Sequence, residues 1–251
     1  MSHPHLRNAP ITEAVLEIRT ALPDDVGEGD LNRFAEAISA NYTKRRERLQ
    51  FSVGFQGGTP TGSEATVDGL LIEHETHPNI VQARLDGFAF SRLHPYEDWE
   101  SFQSEALPLW NLYREVLRPI RIVRVALRYI NTIELDVSED PSLTLAVLPG
   151  VPAPMAPVGL TSFTMQMLSE HPDFGAAAKV IEHLAPLEPG VERVQVMLDI
   201  DVFKTLDLSP EDPALWEHFD QLRELKNSLF FSSITPQARE RYQHGNSVPT
   251  G

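Results

Sequence analysis

The chain has 251 residues, a formal net charge of -15, 41% hydrophobic and 23% charged residues, and no cysteine. A chain of this length buries roughly three quarters of its unfolded surface, and no apolar run approaches the roughly 20 residues that a bilayer span needs. Without cysteine, disulfides, thiolate chemistry and cysteine-ligated zinc or iron-sulfur sites are excluded. The negative charge disfavours general binding to a phosphate backbone.

MSHPHLRNAPITEAV shows no basic segment followed by an apolar one, so cytoplasmic residence is expected. EAVLEIRTAL alternates with Ala14, Leu16 and Ile18 on one side and predicts the first strand. PDDVGEGD supplies turn chemistry with Asp30 as the N-cap of a short helix, in which Leu31, Phe34, Ala35 and Ile38 fall at helical spacing. TKRRER, Thr43 to Arg48, is the only basic run and reads as a solvated connection.

LQFSVGF, TVDGLLIEHE and VQARLDGFAFSRL predict three antiparallel strands, with QGGTPTGSE and HPN as the turns between them. Trp99, Phe102, Ala106, Leu109, Trp110, Tyr113, Val116 and Leu117 then form the stripe of a long helix that Pro108 is expected to kink. VRVALRYINTIEL is the next strand; Val125, Leu127 and Tyr129 share one side with Asn131, while Arg124 and Arg128 lie on the other. A proline-rich stretch from Pro141 to Pro157 follows, then GLTSFTMQML, GAAAKVIEHLA and ERVQVMLDIDVF as extended segments. Ser209 or Asp212 caps a helix carrying Leu215, Trp216, Phe219, Leu222, Leu225 and Leu229. Thr235-Pro236 starts a last short helix, and HGNSVPTG reads as a polar tail.

This order predicts an α+β fold, an antiparallel sheet with long helices packed on one face. AVLEIRT and VALRYIN each open a half, and each half ends in a strand, a proline-bearing cap and a tryptophan early in a helix. Two divergent β-α-β-β-β-α halves are therefore expected, at 1–118 and 119–243, with a flexible tail at 244–251. The arrangement is comparable to TATA-binding-protein-like or helix-grip folds. Superposing the opening strands sets Glu17 at the position of Arg128 and predicts that the two pair across the centre of the sheet.

No catalytic residues, metal site or cofactor are assigned. Asp199 and Asp201 share a strand face and are the one pair suited to a hard cation, but no third carboxylate accompanies them in the sequence. His74 and His77, with Glu73 and Glu75, read as exposed turn residues, and His183 and His218 are isolated from any nucleophile pattern. QGGTPTG lacks the G-K-[ST] of a phosphate loop. Phe230 and Phe231, in LRELKNSLFFSSITPQARE, read as core plugs at a helix-to-helix corner. Arg128, Asn131, Asp199 and Asp201 remain as candidate binding residues.

Three blocks, NAPITEAVLEIR, WESFQSEALPLWNLY followed by ALRYINTIEL, and LKNSLFFSSIT, together resemble a sporadically distributed, uncharacterised family of bacterial proteins of about this length. The residues carrying the resemblance are Asn8, Pro10, Glu13, Tyr129, Lys226, Asn227, Phe230, Phe231 and Ser233; Ala9 departs from the proline more usual there. The family's patchy occurrence is like that of toxin-antitoxin or defence-associated genes. With the acidity, it implies a non-enzymatic protein-binding module that engages a protein partner or a second copy, without general nucleic-acid or membrane binding. The alternative is a small-ligand-binding protein or enzyme with a pocket between sheet and helices, lined by Arg128, Asn131 and Asp199.

Overall fold

The computed structural model describes residue 4 and residues 6–56, 59–150, 162–186, 190 and 192–244. The fold is α+β. The strands are β1 (Ile11–Ala21), β2 (Tyr42–Gln56), β3 (Thr59–His74), β4 (Asn79–Arg84), β5 (Gly87–Leu93), β6 (Arg121–Asp136), β7 (Phe163–His171), β8 (Ala176–Leu184) and β9 (Arg193–Leu208). The helices are α1 (Glu28–Ala37), α2 (Trp99–Leu117), α3 (Ala214–Ser233) and α4 (Pro236–His244). The nine strands form one sheet in the order β2-β3-β4-β5-β1-β6-β9-β8-β7.

The chain divides into two compact units that interleave along the sequence. One comprises Met1–Ala14, Leu127–Lys204 and Trp216–Gly251; the other comprises Val15–Ala126 and Thr205–Leu215.

In the second of these, Leu16, Ile18, Val81, Ala83, Phe88 and Phe90 are buried together with Leu31 and Phe34 of α1 and Phe102, Trp110 and Tyr113 of α2. Tyr113 stacks on Trp110 at 5.6 Å and meets Phe34 edge-on at 5.9 Å; such ring pairs add stability beyond their buried area. Asp98 caps α2 by accepting from the Ser101 amide at 2.7 Å. The α1 helix begins earlier than expected, with Gly27 as N-cap; Asp30 is the third helical residue and accepts the Gly27 amide at 2.9 Å. The expected N-cap is thus the reciprocal half of a capping box.

Three expectations for this unit are corrected. VQARLDGFAFSRL is not one strand but the hairpin β4–β5, turned at Leu85 and Asp86. Gly87 lies at φ +150°, and a Cβ there would stand 2.3 Å from the Ile18 carbonyl oxygen, so the close approach to β1 admits only glycine. TKRRER lies within β2, opposite Gly69 to Glu73 of β3, because pairing with a partner strand satisfies its backbone whatever the local charge. Most of the glycine-bearing QGGTPTGSE is strand as well, with residues 57 and 58 outside the described ones.

In the other unit, β8 buries Ala176, Ala178, Val180, Glu182 and Leu184 on one side, and β9 buries Val196, Leu198, Ile200 and Val202 opposite them. Leu127, Tyr129, Ile133 and Leu135 of β6 and Phe219, Leu222 and Leu225 of α3 complete this core. Phe230 and Phe231 are buried at the α3–α4 corner, with rings 5.5 Å apart and perpendicular. The Ala146 amide donates to Ser233 O at 2.9 Å and the Thr235 amide to Thr144 O at 3.0 Å, which ties the start of the proline-rich stretch to that corner. Residues 151–161 of that stretch and 245–251 of the polar tail lie outside the described residues.

Candidate functional site

The candidate polar residues resolve into pairs. Arg128, 45% exposed at its side chain, reaches Asp199, which is 1% exposed. Its Nε donates to Oδ1 at 2.8 Å and its Nη2 to Oδ2 at 2.7 Å. This is the parallel two-bond geometry that makes arginine–carboxylate pairs strong. The Asp199 hydrogen bonds raise the Arg128 pKa further, and Asp201 and Glu13 add to the effect. Asp201 sits opposite Lys179 in the β8–β9 register.

Arg128 and Glu17, expected as a pair, fall in different compact units, Arg128 with Leu127–Lys204 and Glu17 with Val15–Ala126. The Thr12 hydroxyl donates to Ile130 O at 3.1 Å and the Thr132 amide to Pro10 O at 2.8 Å, so the start of β1 lies beside residues 130–132 of β6. Glu17 belongs to the other unit and binds Arg84 at 2.8 Å, Arg19 at 3.2 Å and Arg124. Burial alone would raise the Glu17 carboxyl, but Arg84 and Arg19 outweigh it and hold the pKa below its usual value.

Asn131 is buried, and its Nδ2 donates to Leu198 O at 3.0 Å and to Tyr129 O at 3.3 Å. It ties β6 to β9. The Tyr129 ring, on the same side of β6, carries the half-buried Lys226 ammonium 3.8 Å from its centroid, a favourable cation–π position. Burial and the neighbouring Arg223 lower the Lys226 pKa to about 7.

Glu182, on β8 between Met165 of β7 and Leu198 of β9, is 0% exposed, and neither carboxylate oxygen has a hydrogen-bond partner among the described residues. Burial pushes its pKa up to about 7. Its signal was present in the sequence: alternation from Ala176 to Leu184 puts one carboxylate on an otherwise apolar side. Lys226, four residues after Leu222 on the buried stripe of α3, carried the same kind of signal.

A further network in the Val15–Ala126 unit was not anticipated. Glu105 of α2 accepts from Tyr42 Oη at 2.9 Å, from Asn79 Nδ2 at 2.7 Å and from Arg92 Nη2 at 2.7 Å. The buried Arg92 also donates to Asn79 Oδ1 at 3.0 Å and Ser101 Oγ at 2.9 Å. Glu105 follows Phe102 by three residues, so its place on the buried stripe was legible but its partners were not.

His74 and His77 stack edge to face at the β3–β4 turn, and His74 Nδ1 accepts the Thr76 and His77 amides at 3.1 and 3.0 Å. Among the described residues no group of three or more metal-ligating side chains is assembled, and no helix is long and apolar enough to cross a membrane.

The outer strand β7 is of another kind. It ends the sheet order, pairs with β8 through all nine residues, and among the described residues nothing pairs with its outer side. Met167, on the side of Val180, is 37% exposed and Leu168, on the opposite side, 69% exposed. From Phe163 to Ser169 it holds no charge, proline or glycine, the devices that usually protect an edge. At the other end of the sheet order, β2 carries Lys44, Arg45, Arg46 and Arg48 within its first seven residues.

No family model matches the chain, and no curated protein matches it.

Proposed function

We propose that the protein is a non-enzymatic protein-binding module that takes up a strand of a partner at the β7 edge. The observation that carries this reading is the contrast between the two ends of the sheet order. The first described residues of β2 carry charged, edge-protecting side chains, whereas β7 offers unpaired backbone and exposed Met167 and Leu168. Strand addition uses those main-chain groups for affinity and alternate side chains for specificity. The candidate polar residues Arg128, Asp199 and Asn131 are engaged with one another or with backbone, which supports a structural role for them.

An antitoxin-like or defence-associated accessory role, in the cytoplasm, is the finer form of this reading, and the net charge of -15 suits a basic protein partner. The reading extends to two divergent halves of TATA-binding-protein-like or helix-grip-like kind. Its support is the strand order: β5, last of its meander, lies beside β1, and β9, last of the other, lies beside β6, with a long helix after each.

The test is a photo-crosslinking side chain placed at Leu168 and, as a control, at the exposed Leu143, in cells that express the protein. A specific adduct at position 168 and none at 143 is expected. Equal labelling at both positions overturns the assignment of the edge.

A further inference from the structure

We infer that β7 is a detachable strand gated by the Glu182 carboxyl: it stays docked on β8 while that carboxyl holds its proton and comes away when the proton is given up. The inference is independent of what pairs with the outer side of β7.

Glu182 points to the side of the sheet that α3 covers. It stands opposite Leu198 of β9, and Lys204, which shares the side of Leu198, donates to Gln221 of α3. The charged and titratable groups that β7, β9 and α3 bring to that side, among the described residues, are His171, Lys204, and Lys226 with Arg223 and the half-buried His218. His171 and Lys204 each lie six residues along their strands from the residue facing Glu182, roughly 20 Å away. None of the five bonds either carboxylate oxygen, so Glu182 ionises only by reaching water.

The cheapest barrier to move is β7. Met165 flanks Glu182 on one side and the wholly buried Leu198 on the other. Not one of the nine residues of β7 is buried, and among the described residues the strand has a neighbour on one side only. It is held by its backbone pairing to β8 and forfeits little apolar burial on leaving. By contrast β9 buries Val196, Leu198, Ile200 and Val202. The joint between β7 and β8 is open too: the turn Pro172–Phe174 ends on Gly175 at φ +55°, with nothing within 4 Å of where a Cβ would stand.

Docked, burial lifts the Glu182 pKa to about 7; hydrated, it returns towards 4.5. Between those values release of the strand also releases a proton, so the opening constant rises tenfold per pH unit, roughly 300-fold from acid to neutrality, and is level above pH 7. Acid closes the strand and neutrality loosens it.

Amide hydrogen exchange of the full chain from pH 4.5 to 8, expressed as protection relative to the intrinsic rate at each pH, tests this. Protection of the β7 amides bonded to β8 is expected to fall about tenfold per unit up to pH 7 and then to level off, while β9 amides bonded to β6 keep theirs. In Glu182→Gln, which cannot titrate, β7 protection is expected to be constant. A second variant staples the strand: the chain has no cysteine, and Gln166 and Ile181 are opposed on the outer side of the sheet, within disulfide range. Oxidised Gln166→Cys/Ile181→Cys is expected to lose the pH dependence and to regain it on reduction. Constant β7 protection in the wild type overturns the inference, as does a slope that survives in Glu182→Gln or in the oxidised staple. An equal fall in β9 overturns it too, because the whole unit then opens rather than one strand, and so do β7 amides already unprotected at pH 4.5, because the strand is then never held.

Discussion

Arg128 grips Asp199 with two parallel hydrogen bonds of 2.8 and 2.7 Å, joining an exposed guanidinium on β6 to a carboxylate that β9 has almost wholly withdrawn from water. The asymmetry sets what substitution does. Removing the arginine strands a buried charge, whereas removing the aspartate leaves an arginine that water can still solvate. Arg128→Met is expected to cost about 2 kcal/mol, below the roughly 3 to 5 kcal/mol of a fully buried pair because the arginine is half exposed. Asp199→Asn, which keeps one acceptor, is expected to cost less. Urea denaturation of the two single variants and the double variant measures this; equal costs for the two single variants contradict the asymmetry.

Glu105 collects Tyr42, Asn79 and Arg92 on one carboxylate. Glu105→Ala removes three acceptor contacts at once and leaves Arg92 buried without its ion pair, so a loss of roughly 3 kcal/mol is expected. Glu105→Gln keeps an acceptor but not the charge and is expected to fall between the wild type and the alanine variant. A thermal midpoint for Glu105→Ala within a degree of the wild type sinks the idea that the knot anchors α2.

Glu182 is protonated in the folded chain up to a pH of about 7, whereas a free glutamate ionises near 4.5. Its folded pKa is raised, so the folded state holds a proton that the unfolded state releases across this window. The contribution of Glu182 to stability is highest below pH 4.5, declines as pH rises towards 7 and levels off above it. At about 1.4 kcal/mol per pH unit the decline amounts to roughly 3 kcal/mol. Glu182→Met abolishes it, so the variant's advantage over the wild type grows from pH 5 to pH 8 in denaturant titrations. A constant difference across that range means Glu182 ionises as an ordinary surface carboxyl.

Lys226 has the opposite sign. Its folded pKa, lowered to about 7 by burial and by Arg223, lies below the ordinary 10.5, so the folded state binds fewer protons between those values. Wild-type stability relative to Lys226→Met therefore rises as pH goes from 7 towards 10. With the lysines reductively ¹³C-methylated, one methyl resonance is expected to titrate near neutrality and to vanish in Lys226→Met. If every lysine resonance titrates near 10, the amine is not desolvated against Tyr129.

Much of the fold was legible locally. Alternation in EAVLEIRTAL and VRVALRYINTIEL, helical spacing from Trp99 to Leu117 and the Thr235-Pro236 cap all mark elements that the structure contains. Charge misled at TKRRER, which is strand, because pairing with β3 satisfies the backbone and leaves the long cations to solvent. The Asp-Gly of VQARLDGFAF was a turn signal inside an apolar run, and its meaning became plain only where Gly87 meets Ile18.

The sequence by itself determined the α+β class, the stripes that become the core and the chemistry the chain lacks, since composition and periodicity act over a few residues at a time. Only the tertiary structure decided that Arg128 answers Asp199, that Glu17 answers Arg84, that Asn131 is tied to Leu198, and that β7 stands at the edge. Those are matters of strand order and register, set by contacts between residues far apart in the chain, and a register displaced by a few residues exchanges every partner across a sheet.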